Sequence, residues 1–209
     1  MLIIIKILSI LYAIVIHEFS HAYVAFKQGD LTAKLNNRLT LNPIPHMDMF
    51  GTIMLPAILI LSGSPLVIGW AKPVPVNPLN FKNKKWGNTL VSLAGPASNL
   101  ISALLFVIIL KIIFVWQLVG VDSYLIVFLS YLIIINVVLM VFNLIPIPPL
   151  DGSNFLFDIL PAKYNSVKVF LSQNGPWLLL ILLIADSFFG LGIFSRIIGF
   201  FIDIIYGLV

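Results

Sequence analysis

From Ser123 to Leu150 the chain runs without one charged side chain, and the stretches 49–71 and 86–110 are equally bare. Apolar runs of this length are what a hydrocarbon layer about 30 Å thick asks of a helix that crosses it. A soluble domain carries about a quarter charged residues; here 10% of 209 residues are charged and 60% are apolar. The chain therefore reads as an integral membrane protein, and no polar stretch is long enough for a separate soluble domain. One unit over 1–209 is expected. Most Lys and Arg lie in a few loops, where they report orientation in a bilayer, so the net charge of +4 does not point to nucleic acid. The absence of cysteine removes disulfides, thiolate metal sites and cysteine nucleophiles from consideration.

The expected fold class is a membrane all-α bundle. Its core is three transmembrane helices, at about 2–26, 88–116 and 123–145, each long enough at 1.5 Å per residue to cross. The first has no basic leader and no small-residue cleavage site, so it is expected to remain as a span. Residues 31–41, LTAKLNNRLTL, alternate apolar and polar on either side of Asn36-Asn37. With a three-residue loop that pattern puts every polar side chain on one face, so a small β-hairpin is expected over 31–41. Residues 49–69 are apolar but broken by Pro56 and by SGSP at 62–65. The segment 70–86, rich in Pro and Lys, is an extended polar loop. Residues 152–173 look interfacial. The tail, 176–208, holds two apolar pieces separated by FFGLG, giving one or two further membrane segments.

Against this background residues 13–26, AIVIHEFSHAYVAF, stand out. Ionisable side chains at bilayer depth are costly and point to function. H-E-x-x-H on a helix sets two imidazoles one turn apart on one face, and the glutamate between them can serve a metal-bound water as general base. His17 and His21 are the expected zinc ligands and Glu18, the one glutamate in the chain, the expected catalytic base. The bland alternative is a pair of interhelical hydrogen-bonding histidines. A catalytic zinc wants a third protein ligand, which leaves His46 and seven aspartates as candidates. Asp30 and Asp48 lie in loops beside the first helix, and Asp122, Asp158, Asp186 and Asp203 lie at segment ends. Asp151 follows a Pro-broken membrane helix in NLIPIPPLDG, where irregular backbone is tolerated if it lines a cavity. It is the expected third ligand.

HEFSH, GPASN and NLIPIPPLDG together resemble the site-2 protease family of intramembrane zinc metalloproteases, in its compact prokaryotic form without a PDZ domain. The resemblance implies that His17, His21 and Asp151 hold Zn2+, that Glu18 is catalytic, and that Asn143 holds substrate or the oxyanion. It implies hydrolysis of peptide bonds within or near transmembrane segments, with single-span membrane proteins as substrates and the lipid bilayer as the setting. The catalytic core would cover about 1–152, with interfacial and membrane segments over 153–209. His46, in NPIPHMD, is a second candidate for contact with substrate. GPASN reads as close helix packing around Gly95, with Asn99 making a polar contact.

Geometry constrains the topology. His17 and His21 lie toward the C-terminal end of the first helix, and Asp151 follows the end of the third. They meet only if those ends share one membrane side, so 49–69 must enter and leave on that side as a re-entrant hairpin. Lys27, Lys34, Arg38, Lys72, Lys82, Lys84, Lys85, Lys163 and Lys168 then share that side too, which the positive-inside rule makes cytoplasmic in a prokaryotic cell membrane. The rival reading, a metal transporter or non-catalytic membrane metal-binding protein, would want polar groups tracing a path across the bilayer. A prenyl-protein-type membrane metalloprotease would bring more glutamates.

Overall fold

The computed structural model describes residues 1–54, 58, 62 and 70–208. Its helices are α1 (Leu2–Lys27), α2 (Thr32–Leu35), α3 (Gly87–Val115), α4 (Tyr124–Asn143), α5 (Gly152–Ile159), α6 (Asn165–Phe188) and α7 (Ile193–Tyr206). Among the described residues four stretches are long and apolar enough to cross a membrane: α1, α3, α4 and Ala162–Phe188, which contains α6.

The bundle is built on α3, which packs along both α1 and α4. On α1 the contact face is a stripe at every fourth residue, Ser9, Ala13, His17, His21 and Ala25, all buried. Small side chains on such a stripe let helix backbones approach closely, which is how helices associate where lipid tails are as apolar as leucine. The two histidines occupy the middle of this face, so the packing that buries Ala13 and Ala25 also turns both imidazoles toward α3. The imidazoles hydrogen-bond Asn99 and Val91, which sets α1 antiparallel to α3 and leaves α1 and α4 ending on one side.

The rest of the core is a seam of α3 and α4 side chains, including Val107, Leu110, Ile133 and Val137, covered by α7 through Ile198, Phe201 and Ile205. Phe194 lies beside Phe142 in the last turn of α4, with ring centroids 6.4 Å apart. At the other end Lys111 donates to the carbonyl of Leu208 over 2.8 Å. The second apolar piece of the tail thus runs antiparallel to α4 along the flank of the bundle, with Ile205 its one buried residue. Of α6 only Gly175 and Leu179 are buried.

The β-hairpin expected over 31–41 is not formed, and no strand occurs among the described residues. Asp30 explains the difference. Its Oδ1 accepts from the Thr32 amide at 3.1 Å and the Thr32 hydroxyl at 2.5 Å, and the chain then turns into α2. Leu35 and Asn36 donate back to Leu31 and Thr32, and Arg38 donates to Ala33, so the amides needed for cross-strand pairing are spent locally. The polar residues do not share a face either: Arg38 is buried, its Nη2 donating to the carbonyls of Lys72 and Pro73.

The re-entrant hairpin expected over 49–69 lies largely outside the described residues, but both its ends are in view. Met49–Met54 forms one π-helical segment. Trp70 donates to the Gly51 carbonyl over 3.1 Å and Lys72 to that of His46 over 3.0 Å. The stretch therefore begins and ends at the same place.

Candidate metal centre

Asp151 reaches the histidines through a tight reversal after α4. A Cβ built on Gly152 would lie 2.3 Å from the Leu144 carbonyl oxygen, so only glycine lets α5 start this close beneath the end of α4. Asp151, just before it, is thereby placed against α1. Its Oδ2 lies 3.1 Å from Nε2 of His17 and 3.3 Å from Nε2 of His21, and the two Nε2 atoms are 3.0 Å apart. Neighbouring corners of a tetrahedron with bonds of about 2.0–2.1 Å lie about 3.3 Å apart.

The far side of each ring settles where its proton sits. Nδ1 of His21 is 2.7 Å from the Val91 carbonyl, which can only accept. Nδ1 of His17 is 2.7 Å from Oδ1 of Asn99, whose Nδ2 faces the Ala13 carbonyl at 3.1 Å. Both rings therefore carry a proton at Nδ1, and as neutral imidazoles both turn Nε2 lone pairs inward. Asp151 Oδ2 is buried and, apart from the two Nε2 atoms, has no hydrogen-bond partner among the described residues. With both imidazoles neutral, three acceptors converge within about one van der Waals contact, an arrangement that costs free energy unless a proton or a metal cation sits among them. Two imidazoles and one carboxylate, with a further position open to a cleft, are a donor set suited to catalytic zinc.

The cleft, about 200 Å³, opens beside these atoms and is lined by Glu18 and Asn143 among others. Glu18 Oε2 accepts from the Val74 amide at 2.9 Å, which ties the carboxylate to the extended segment 70–77. That segment is fixed along its length by the bonds to Gly51, His46 and Arg38, and at its end by Asn77 donating to Asp30 over 2.7 Å. Asp30 is spoken for: burial pushes its carboxyl up, and the bonds from Thr32, Asn77 and Asn80 outweigh that and hold it below the usual carboxylate range. Asn143 lines the cleft with its Nδ2 turned back to the Leu139 carbonyl at 3.0 Å, leaving Oδ1 free. His46 does not line the cleft. It is buried in its own loop, its Nε2 2.8 Å from the Thr40 carbonyl. A larger recess of about 460 Å³ lies between Lys34 and Pro45, on neutral amides and one lysine, with no metal-binding group.

Sequence reasoning missed Asn99 as the partner of His17, and missed Ser92 and Asn154, which line the cleft and are joined by a 2.8 Å bond. GPASN signalled close packing, but nothing in it says which residue of another helix Asn99 meets.

The chain matches the model of Peptidase family M50 over residues 5–182. It is 39% identical over 185 residues to "Putative zinc metalloprotease YwhC" of Bacillus subtilis (strain 168), which covers 85% of this chain and 79% of that protein. It is 30% identical over 180 residues to "Putative zinc metalloprotease Rip2" of Mycolicibacterium smegmatis, covering 85% of this chain and 65% of that protein. No solved structure matches it.

Proposed function

The chain belongs to peptidase family M50, the site-2 protease family, and on that footing we propose that it is an intramembrane zinc endopeptidase acting on single-span membrane proteins. The observation that carries the reading is the convergence of two imidazole nitrogens and one carboxylate oxygen beside a cleft that also holds the only glutamate of the sequence. Zinc, when held by His17, His21 and Asp151, supplies Lewis acidity: it acidifies water and polarises a carbonyl. Glu18 takes the proton from the attacking water and passes it to the leaving amine. The Val74 amide keeps that carboxylate aimed into the cleft. Asn143, through its free Oδ1, accepts an amide of a substrate strand that has unwound. Unwinding is required because the carbonyls of a helical substrate are already hydrogen-bonded.

The purified chain, mixed with a single-span substrate in lipid vesicles, should cleave it, lose activity on chelation and regain it with zinc. Asp151→Ala should drop zinc from about one per chain toward zero; unchanged zinc stoichiometry would remove Asp151 from the ligand set. A transport reading finds little support beneath the ligands, where Asn99 and Asn136 are spent on each other and on helix carbonyls.

We place the site on the cytoplasmic side of a prokaryotic cell membrane. The support is charge: the basic residues of the loops around the site contrast with 116–123, which has none. Since the chain has no cysteine, single cysteines report without background. Ile44→Cys and Leu79→Cys should react with an impermeant maleimide from one side and Val121→Cys from the other. Labelling of 44 and 79 from opposite sides would defeat this topology.

A further inference from the structure

We infer that Asn99 and Asn136 are positioning residues for the metal, a two-amide relay from α4 through α3 to α1 that keeps the Nε2 lone pair of His17 aimed at the centre. The inference rests on the zinc-protease reading and adds to it two residues that touch neither metal nor substrate.

The relay starts on α4. Asn136 Nδ2 donates to the Leu132 carbonyl over 2.7 Å, which turns its Oδ1 toward α3. That oxygen accepts from Asn99 Nδ2 at 2.8 Å. The same amide nitrogen donates its second proton to the Ala13 carbonyl of α1 at 3.1 Å. With both protons spent, the Asn99 oxygen faces His17 Nδ1 and fixes the proton there. Both asparagines are 0% exposed, so no water can substitute for a lost partner.

What Asn136 contributes is the direction of the Asn99 amide. A flipped Asn99 would present its NH2 to His17, push the ring proton onto Nε2 and close that ligand position. The flip would also set the Asn99 oxygen against two acceptors, the Ala13 carbonyl and Asn136 Oδ1. Without Asn136 one of those two barriers is gone. The asymmetry with His21 sharpens the point: its Nδ1 is held by the Val91 carbonyl, a backbone group that no side chain controls. Polar contacts that merely join helices would stabilise the bundle with and without metal alike. A relay acts on the metal.

The test uses the full chain in detergent, as wild type, Asn99→Leu, Asn136→Leu, the double variant and Asn99→Asp. Zinc affinity is read by competition with a chromophoric chelator, the ligand field from the absorption of the Co(II)-substituted protein, and folding from thermal unfolding of the metal-free chain. Asn99→Leu should weaken zinc by about 10–100-fold, the range for lost outer-shell partners, and move the cobalt bands. Asn136→Leu should weaken it by a smaller factor in the same direction. The double variant should match Asn99→Leu, because both changes act through one ring. Asn99→Asp should recover affinity to within a few-fold of wild type, since one carboxyl oxygen accepts from the same Nδ1–H while the other, which faces the Ala13 carbonyl and Asn136 Oδ1 in a fully buried position, carries the proton that replaces the lost amide donor. Wild-type zinc affinity in either leucine variant, additive losses in the double, or equal impairment of Asn99→Leu and Asn99→Asp would each overturn the relay. A wild-type chain that binds no zinc would instead overturn the reading beneath it.

Discussion

Glu18→Gln should leave zinc bound at the wild-type ratio while cleavage of a single-span substrate falls by about 10²–10⁴-fold, the usual contribution of a positioned general base. Glutamine keeps the size of the side chain and an oxygen that can accept from the Val74 amide, so segment 70–77 should stay where Glu18 now holds it. The substitution removes basicity and little else. None of the three ligand atoms belongs to Glu18, and the bonds that orient the rings run to Asn99 and Val91, away from the cleft. Zinc content and turnover must therefore separate. The measurement is zinc per chain by atomic emission beside single-turnover cleavage in vesicles. Turnover near the wild-type rate would remove Glu18 from the chemistry, whereas loss of zinc along with activity would make it part of the metal shell.

The spans were legible because a bilayer leaves the backbone few options. Every amide must be paired within the segment, so length and apolarity alone mark a helix. Expected limits of 2–26, 88–116 and 123–145 stand against Leu2–Lys27, Gly87–Val115 and Tyr124–Asn143. Outside the apolar runs local chemistry decides, and there pattern misled. The alternation over 31–41 ignored Asp30, an acceptor placed to start a helical turn two residues on. The expected break between an interfacial 152–173 and a tail at 176–208 is absent, because α6 passes straight through Gly175 and Pro176. A proline costs a helix one amide bond, and packing can absorb that.

The chemistry of the centre was legible for a different reason. H-E-x-x-H fixes the relation of His17, Glu18 and His21 within one turn, whatever the rest of the fold does. Asp151 was reached by elimination, because the chain offers no cysteine and no second glutamate. The structure brings one ligand atom from each of His17, His21 and Asp151 to within 4.8 Å of one another. Asn99 was beyond reach, since its role depends on the axial register of α1 against α3, and that of Asn136 on α3 against α4. Hydrophobic periodicity says which face of a helix is buried, not which residue it meets. The surroundings of His46 were likewise illegible, since its loop turns it onto the Thr40 carbonyl.

Gly95→Ala should abolish the metal centre with one added methyl, lowering zinc affinity by roughly 10²-fold or more, beyond the range for a lost outer-shell partner. A Cβ built on Gly95 would lie 2.5 Å from Nε2 of His21, and 2.6 and 2.7 Å from Cε1 and Nε2 of His17. Those nitrogens are the ligand atoms themselves. Neither ring can step aside cheaply, because each is held at Nδ1, one of them by a carbonyl of α3 itself. Moving α3 outward would stretch the same bonds and open the faces around Ala13 and Ala25. Overpacking of this kind commonly costs about 1–3 kcal/mol, which a bundle of this size can absorb while a three-point metal site cannot. The expected result is a folded chain with little zinc and no cleavage. Gly199→Ala is the matched control, since a Cβ on Gly199 in α7 meets nothing within 4 Å and alanine favours a helix. It should keep full zinc and full activity. Retained zinc in Gly95→Ala would mean that the imidazoles do not pack on α3 as described, and the geometry of the centre would have to be redrawn.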